Sequence, residues 1–505
     1  MRLPFPEHIS LLYAGCFATL LCTAQFLQGT SLLFSLCCFG FILIAVLAFN
    51  LAGGFAHPSG AYVFFYAFSA VTLGLIWKVV LGEPADSNLK HPLLTIEAHL
   101  GGVTAMLGAV FLSRKVTKRR AILADMITDA NLLPASLGCM VVGISLSVVL
   151  LVVPFEGGTI LSALNQLNHF LEISIILGVI YQIRKSGGTS SMNLPVLISM
   201  VAAFVFGILV FSKQGMFTPF VCWIMAAASQ RYRISFFQAV SFVLFAVFTV
   251  YYLVPYSQYG RNVQTDSRLE NVNISIDLLS DLGKVRQEYE QSAEVFLEGR
   301  VTGYFNTVQP LADRMVMIPV DDAIIGVTEE KGPFGLAPVI LQFGNLIPHV
   351  LWPDKPAYNF GNVYAHEIGM VAPDDTTTGV SFSPIGEAWR VGRWTGIFLI
   401  APVLWIMLFT LYDSLCGDVR KYPWGLLAIV LLAHIAPDGE LGGIIYMLWY
   451  GAIGIAFVAV VASYLMPVFG SLFAGRQQTG LRRIAPVRSI PRRLPAVQPS
   501  RTSNP

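Results

Sequence analysis

The sequence predicts an all-α polytopic membrane protein of about twelve transmembrane helices with one large, partly helical external loop. Two observations carry this. Of 505 residues, 55% are hydrophobic and 12% charged, and the mean hydropathy is +0.65; soluble domains carry about 25% charged residues. Apolar runs near the roughly 20 residues needed to span a bilayer also recur along the chain. A single soluble core does not bury so much apolar surface, whereas bilayer hydrocarbon does.

In order, the runs cover about 9–27, 31–50, 61–81, 97–113, 133–153, 160–183, 194–211, 215–230, 235–254, 394–415, 424–437 and 441–464. They divide the chain into an N-terminal bundle (1–254), an external loop domain (255–393), C-terminal helices (394–464) and a basic tail (465–505). Arg2 precedes the first run, and a second run follows it almost at once, which favours a retained helix over a cleaved signal peptide. Lys and Arg set the orientation, because basic loops stay in the cytoplasm. Arg114, Lys115, Lys118, Arg119 and Arg120 follow the fourth run, Arg184 and Lys185 the sixth, Arg231 and Arg233 the eighth, and Arg420 and Lys421 the tenth. With the N-terminus inside, all of these and the Arg-rich tail share one side. Glu83, Asp86 and Glu156 fall opposite, with the acidic 255–393 loop. The Pro-, Arg- and Ser-rich tail reads as disordered, drawn to anionic headgroups.

Within the loop, Leu269 to Arg300 alternates charges with apolar residues at helical spacing, predicting a helix on or above the membrane. A second helix is expected from Val308 to Ile325. Beyond Gly332 the Pro, Gly and aromatic content predicts an ordered irregular loop. The cysteines all lie in or beside apolar runs, none in the loop, and no Cys/His spacing suggests zinc. No dinucleotide fingerprint, P-loop or HExxH motif occurs, which argues against an ATP-driven pump.

Several clusters carry chemistry. In the block from Pro348 to Pro356, three prolines stiffen the chain around His349, Trp352 and Lys355. A rigid external cation there suits an anionic ligand, or the block packs the loop on the membrane with Lys355 solvated. From Thr376 to Arg390, hydroxyls and backbone amides crowd before the tenth run, with Glu387, Arg390 and Arg393 at its outer end. Such residues hold sugars, and they also serve as interfacial anchors and caps. Lys213, in Phe211-Ser212-Lys213-Gln214-Gly215, either anchors to lipid phosphate or binds a lipid-linked phosphate substrate. Asn165, Asn168, His169 and Glu172 within the sixth run, and His434, Asp438 and Glu440 near the eleventh, are either functional or packing clusters.

These motifs together resemble the bacterial O-antigen polymerase and ligase superfamily, in particular its Wzy-type oligosaccharide repeat-unit polymerases. Ser212-Lys213-Gln214-Gly215 is similar to the family's Ser-Arg-Gly signature, with lysine in place of arginine, which keeps charge but loses bidentate geometry. Arg314, then Phe334-Gly335, then the Pro348–Pro356 block, resemble its loop motifs, and Thr377 to Glu387 leads into Gly392 and Gly396. The resemblance covers the seventh to tenth runs; earlier helices match in hydropathy alone.

The resemblance implies a GT-C-like glycosyltransferase of the bacterial inner membrane, with both termini cytoplasmic and the loop periplasmic. It would join undecaprenyl-pyrophosphate-linked oligosaccharides, donor and acceptor, without metal, nucleotide sugar or other cofactor. Its surroundings would be the lipid bilayer, a chain-length regulator and export machinery; no nucleic acid is implied. Without metal, a leaving pyrophosphate requires fixed cations, and the chain places Lys213, Arg314, Lys355, Arg390 and Arg393 outside, with Trp352 among the binding candidates. His349, His366 and Glu387 are the candidate bases for the acceptor hydroxyl. A ligase that moves finished glycan to another acceptor, a lipid-linked sugar transporter and a non-enzymatic assembly partner are the rival expectations.

Overall fold

The computed structural model describes residues 1–153, 160–265, 267–297, 303–307, 309, 312–347, 352, 355, 358–376 and 378–473. Of the described residues 76% are helical, and among them there is no β-strand beyond one bridge between Arg2 and Arg233. In order the helices are α1 (Leu11–Leu27), α2 (Leu32–Ala52), α3 (Pro58–Leu81), α4 (Pro92–Val116), α5 (Asp129–Val152), α6 (Ile160–Leu167), α7 (Phe170–Lys185), α8 (Leu194–Leu209), α9 (Lys213–Ser229) and α10 (Phe236–Val263). The loop segment holds α11 (Arg268–Ser280), α12 (Leu282–Leu297), α13 (Ala312–Met315), α14 (Ile318–Lys331), α15 (Ala337–Asn345) and α16 (Phe360–Glu367). The chain closes with α17 (Pro384–Cys416), α18 (Trp424–Asp438) and α19 (Glu440–Phe473).

Among the described residues seven helices, α2, α3, α4, α5, α10, α17 and α19, are long and apolar enough to cross a membrane, and α1, α8 and α18 are shorter apolar helices. Their outward faces are apolar too. On α17, Phe398, Leu399, Val403 and Met407 are exposed at helical spacing, as expected of a helix with hydrocarbon on one side and protein on the other. The core packs α4 between α2 and α17, and α19 on α5. At that last crossing a β-carbon on Gly470 would lie 1.9 Å from the Pro134 carbonyl oxygen, so only glycine permits the backbones to touch.

The basic loops meet at one end of the bundle. Arg420 pairs with Glu7 and Asp418, Arg231 faces Glu7 at 3.9 Å, and Arg184 pairs with Asp129. The loop segment lies at the other end and is built into the bundle's core rather than set apart from it. Tyr304, Phe305, Val316, Ile318 and Ile325 belong to the same buried cluster as the membrane helices. Adjacent acids on α14 tie it to α4. Asp322 accepts from the Lys90 and His91 amides and the Thr95 hydroxyl, capping α4 from outside. Asp321, fully buried, accepts from the Ser383 amide and lies 3.3 Å from His99 Nε2, whose other ring nitrogen meets the Tyr66 hydroxyl at 2.9 Å.

The structure revises three local expectations. The 269–300 helix is two, broken at Asp281, where φ and ψ are −141° and 68°. The second loop helix is likewise divided, with α14 starting at Ile318 and Pro319 in its first turn. Beyond Gly332 the chain is not wholly irregular, because α15 and α16 form there. Pro338 occupies the first turn of α15, and the Asn359 side chain caps α16 through the Asn362 amide.

Candidate functional site

A cavity of about 450 Å³ opens where α15, α16, the α18–α19 junction and the segment before α17 converge. Its size falls in the range of about 300–1,000 Å³ usual for small-ligand pockets. Three sequence features shape it. Pro437 and Gly439 end α18, and Glu440 starts α19 with a left-handed φ of 57°, a conformation that costs a non-glycine residue energy and needs support. The support is the Glu440 amide, which donates to the Phe382 carbonyl at 3.2 Å. This corner puts Asp438 and Glu440 on the cavity wall together. Tyr446 and Tyr450, one helical turn apart on α19, form a tilted pair with ring centroids 5.7 Å apart. Tyr358 stacks on Phe360 at 17°, and amides of Gln342, Asn345 and Asn359 complete the wall.

Behind the wall lies Glu387. It is fully buried, with Oε1 accepting from Gln342 Nε2 at 2.9 Å and from the Tyr364 hydroxyl at 3.3 Å. Oε2 accepts from the Leu441 amide at the start of α19, where a carboxylate also meets the positive end of the helix. Burial first, then the charges of Glu387 and Glu440, push the Tyr364 hydroxyl well above the ordinary tyrosine range, so it remains a donor. A β-carbon at Gly442 would stand 2.8 Å from Gln342 Nε2, so glycine there lets the amide lie flat against α19. Gln342 uses its nitrogen on Glu387, and its buried Oε1 has no partner among the described residues.

The residues expected from sequence are placed as follows. Lys355 Nζ donates to the Asn345 carbonyl at 2.9 Å and the Ile347 carbonyl at 2.8 Å, which fixes the ammonium beside a cavity-wall residue; burial lowers its pKa. Trp352 is exposed, and its carbonyl accepts from the Lys355 amide at 3.2 Å. Arg390 is buried and grips Glu367 with two bonds of 2.9 and 2.7 Å while donating to the Gly332 carbonyl at 2.6 Å. Its guanidinium also lies 4.9 Å from the Phe334 ring centre. Arg393 pairs with Glu329 at 3.0 Å, at a break in α17 where Gly392 and Arg393 leave helical geometry. His366 Nε2 donates to the Asp375 carbonyl at 2.8 Å. Lys213 opens α9, capped by Ser212. His349 and the Arg314 side chain lie outside the described residues. The cavity therefore gathers Lys355 at its edge and Glu387 behind it, whereas Arg390, Arg393 and His366 hold the surrounding helices together.

The polar cluster at Asn168 breaks the sixth apolar run between α6 and α7. Asn168 Nδ2 donates to the Ser147 hydroxyl at 3.2 Å, and the buried Glu172 Oε2 has no partner among the described residues. A second hollow of about 330 Å³ lies on the bundle flank between α4 and α17, lined by Leu100, Gly101, Thr104, Trp394, Phe398 and Glu97. Asp438 and Glu440 are visible in the sequence as a polar group. Gln342, Tyr446 and Tyr450 carry no such signal, being single polar or aromatic residues in apolar helices. The chain matches no family model, no curated protein and no solved structure.

Proposed function

We propose that this protein is a membrane glycosyltransferase that polymerises undecaprenyl-pyrophosphate-linked oligosaccharide repeat units on the periplasmic face of the bacterial inner membrane, producing a surface polysaccharide or exopolysaccharide. The observation that carries this reading is the cavity: carboxylates, amides and exposed tyrosine rings at the loop end of a helical membrane bundle. Carboxylates and amides bond sugar hydroxyls, and aromatic rings pack on the apolar faces of sugar rings. The hollow between α4 and α17, with Trp394 and Phe398 stacked at 20°, suits a polyprenyl tail lying alongside.

In this reading Glu440 takes the proton of the acceptor hydroxyl as its oxygen bonds to the donor's anomeric carbon. The bond from that carbon to the pyrophosphate oxygen breaks, and the electron pair leaves with undecaprenyl pyrophosphate. Lys355 supplies fixed positive charge toward the leaving group. Glu387 holds Gln342 and the start of α19 in register, so that the acceptor is oriented before reaction.

Deletion of the gene from its host tests the reading. Lipid carriers bearing single, unpolymerised repeat units are the expected accumulation. Accumulation of long but unattached glycan would instead identify a ligase, and unchanged glycan would remove the transferase reading altogether.

A further inference from the structure

We propose that the cavity is a subsite for an uncharged, hydroxyl-rich sugar residue and that it rejects uronic and other acidic sugars. This rests on the glycosyltransferase reading and adds the class of sugar that occupies the site. Among the described residues, the charged side chains on the wall are Asp438 and Glu440, and none of the lining residues is Lys, Arg or His. Gln342, nine-tenths buried, leaves Oε1 without a partner among the described residues. A buried acceptor without a donor is costly, so the occupant is expected to bring hydrogen-bond donors. Sugar hydroxyls do this; a sugar carboxylate does not.

Two basic side chains among the described residues lie beside the wall without lining it. Lys355 is held by the Asn345 and Ile347 carbonyls and is not part of the lining. His434 lies 3.3 Å from Asp438, one turn back along α18, is half exposed and is likewise not part of the lining. A sugar carboxylate brought into this partly enclosed space would stand beside two acidic side chains and find no cation in the described lining to pair with, and an unpaired charge taken from water is costly. The exposed rings of Tyr358 and Tyr446 present faces with negative quadrupole character, which suit the C–H face of a neutral sugar and offer no attraction to a carboxylate.

The test is binding without turnover. Purified full-length protein in lipid nanodiscs is titrated at about pH 8 with sugar pairs that differ only at C6: glucose against glucuronate, and galactose against galacturonate. Saturation-transfer NMR reports binding, and loss of the signal in Tyr446→Ala locates it. The neutral member of at least one pair is expected to bind tenfold or more tightly than its acid, equivalent to about 1.4 kcal/mol. In Asp438→Asn/Glu440→Gln that preference collapses, and the single Asp438→Asn change reduces it if the double variant does not remain monodisperse. Equal or tighter binding of the acids, absence of binding by every neutral sugar, or an undiminished preference in the variants would overturn the proposal. A chain that polymerises only acid-bearing repeat units would refute this inference while leaving the transferase reading intact. Neutral-sugar preference without polymer formation would do the reverse.

Discussion

Glu387 and Glu440 sit on opposite sides of one wall and have different work. Glu387 is surrounded by donors, from Gln342, Tyr364 and the Leu441 amide, which leaves it little capacity to accept a substrate proton. Glu440 lines the cavity from a left-handed corner. Lys355 gives this scale a pH test. Burial holds its ammonium below the ordinary value near 10.5. Within that window the unfolded chain binds the extra proton, so this lysine makes stability rise with pH. Activity that depends on its charge falls as pH rises through the lowered, folded-state value. The alkaline limb of the kcat/KM profile is therefore expected below the ordinary lysine range, and should move to higher pH in Lys355→Arg. A limb that this substitution leaves in place belongs to another group. Lys355 and Glu387 stand out in the sequence because prolines and hydroxyl residues surround them. Gln342 does not, since its meaning depends on a glycine of α19 a hundred positions away.

At the scale of elements, hydropathy marks long apolar runs, and seven helices among the described residues are long and apolar enough to span a bilayer. It does not locate the break at Gly392–Arg393, where the first turns of α17 separate from the rest. That break depends on bonds from the Phe334 and Gly335 amides to the Arg390 and Val391 carbonyls, and these are long-range contacts. The docking of the loop onto α3 is equally hidden. Lys78, fully buried, bonds Glu83 and Ser87 at 2.8 Å and lies 4.7 Å from the Tyr304 ring centre, while Glu83 also accepts from the Asn306 amide. Removing one member of a buried pair leaves an uncompensated charge, at a cost of about 3–5 kcal/mol. Lys78→Met is thus expected to lower the midpoint of denaturant unfolding and to expose residues 303–307 to protease. Unchanged stability and protection would show that the pair does not hold the loop.

At the scale of the whole molecule, charge and cavity divide the ends. Basic loops meet at one end of the bundle, and the polar cavity opens at the other. The loop segment is continuous with the hydrophobic core, so cavity geometry is fixed by the membrane helices as much as by the loop itself. Composition and loop charge foreshadow this polarity. They do not reveal that residues from α15, α16, α18 and α19 share one wall, because no local pattern joins them.

The central claim is that this cavity lengthens a lipid-linked glycan. Purified protein reconstituted in liposomes with an undecaprenyl-pyrophosphate-linked repeat unit as both donor and acceptor tests it most directly, read as glycan length on a gel. Wild type is expected to give a ladder spaced by one repeat unit, and Glu440→Gln to slow its formation by about 10²–10⁴-fold while remaining folded and monodisperse. A ladder from Glu440→Gln as fast as from wild type would contradict the role of the cavity, and no ladder from wild type with its own repeat unit would contradict the account.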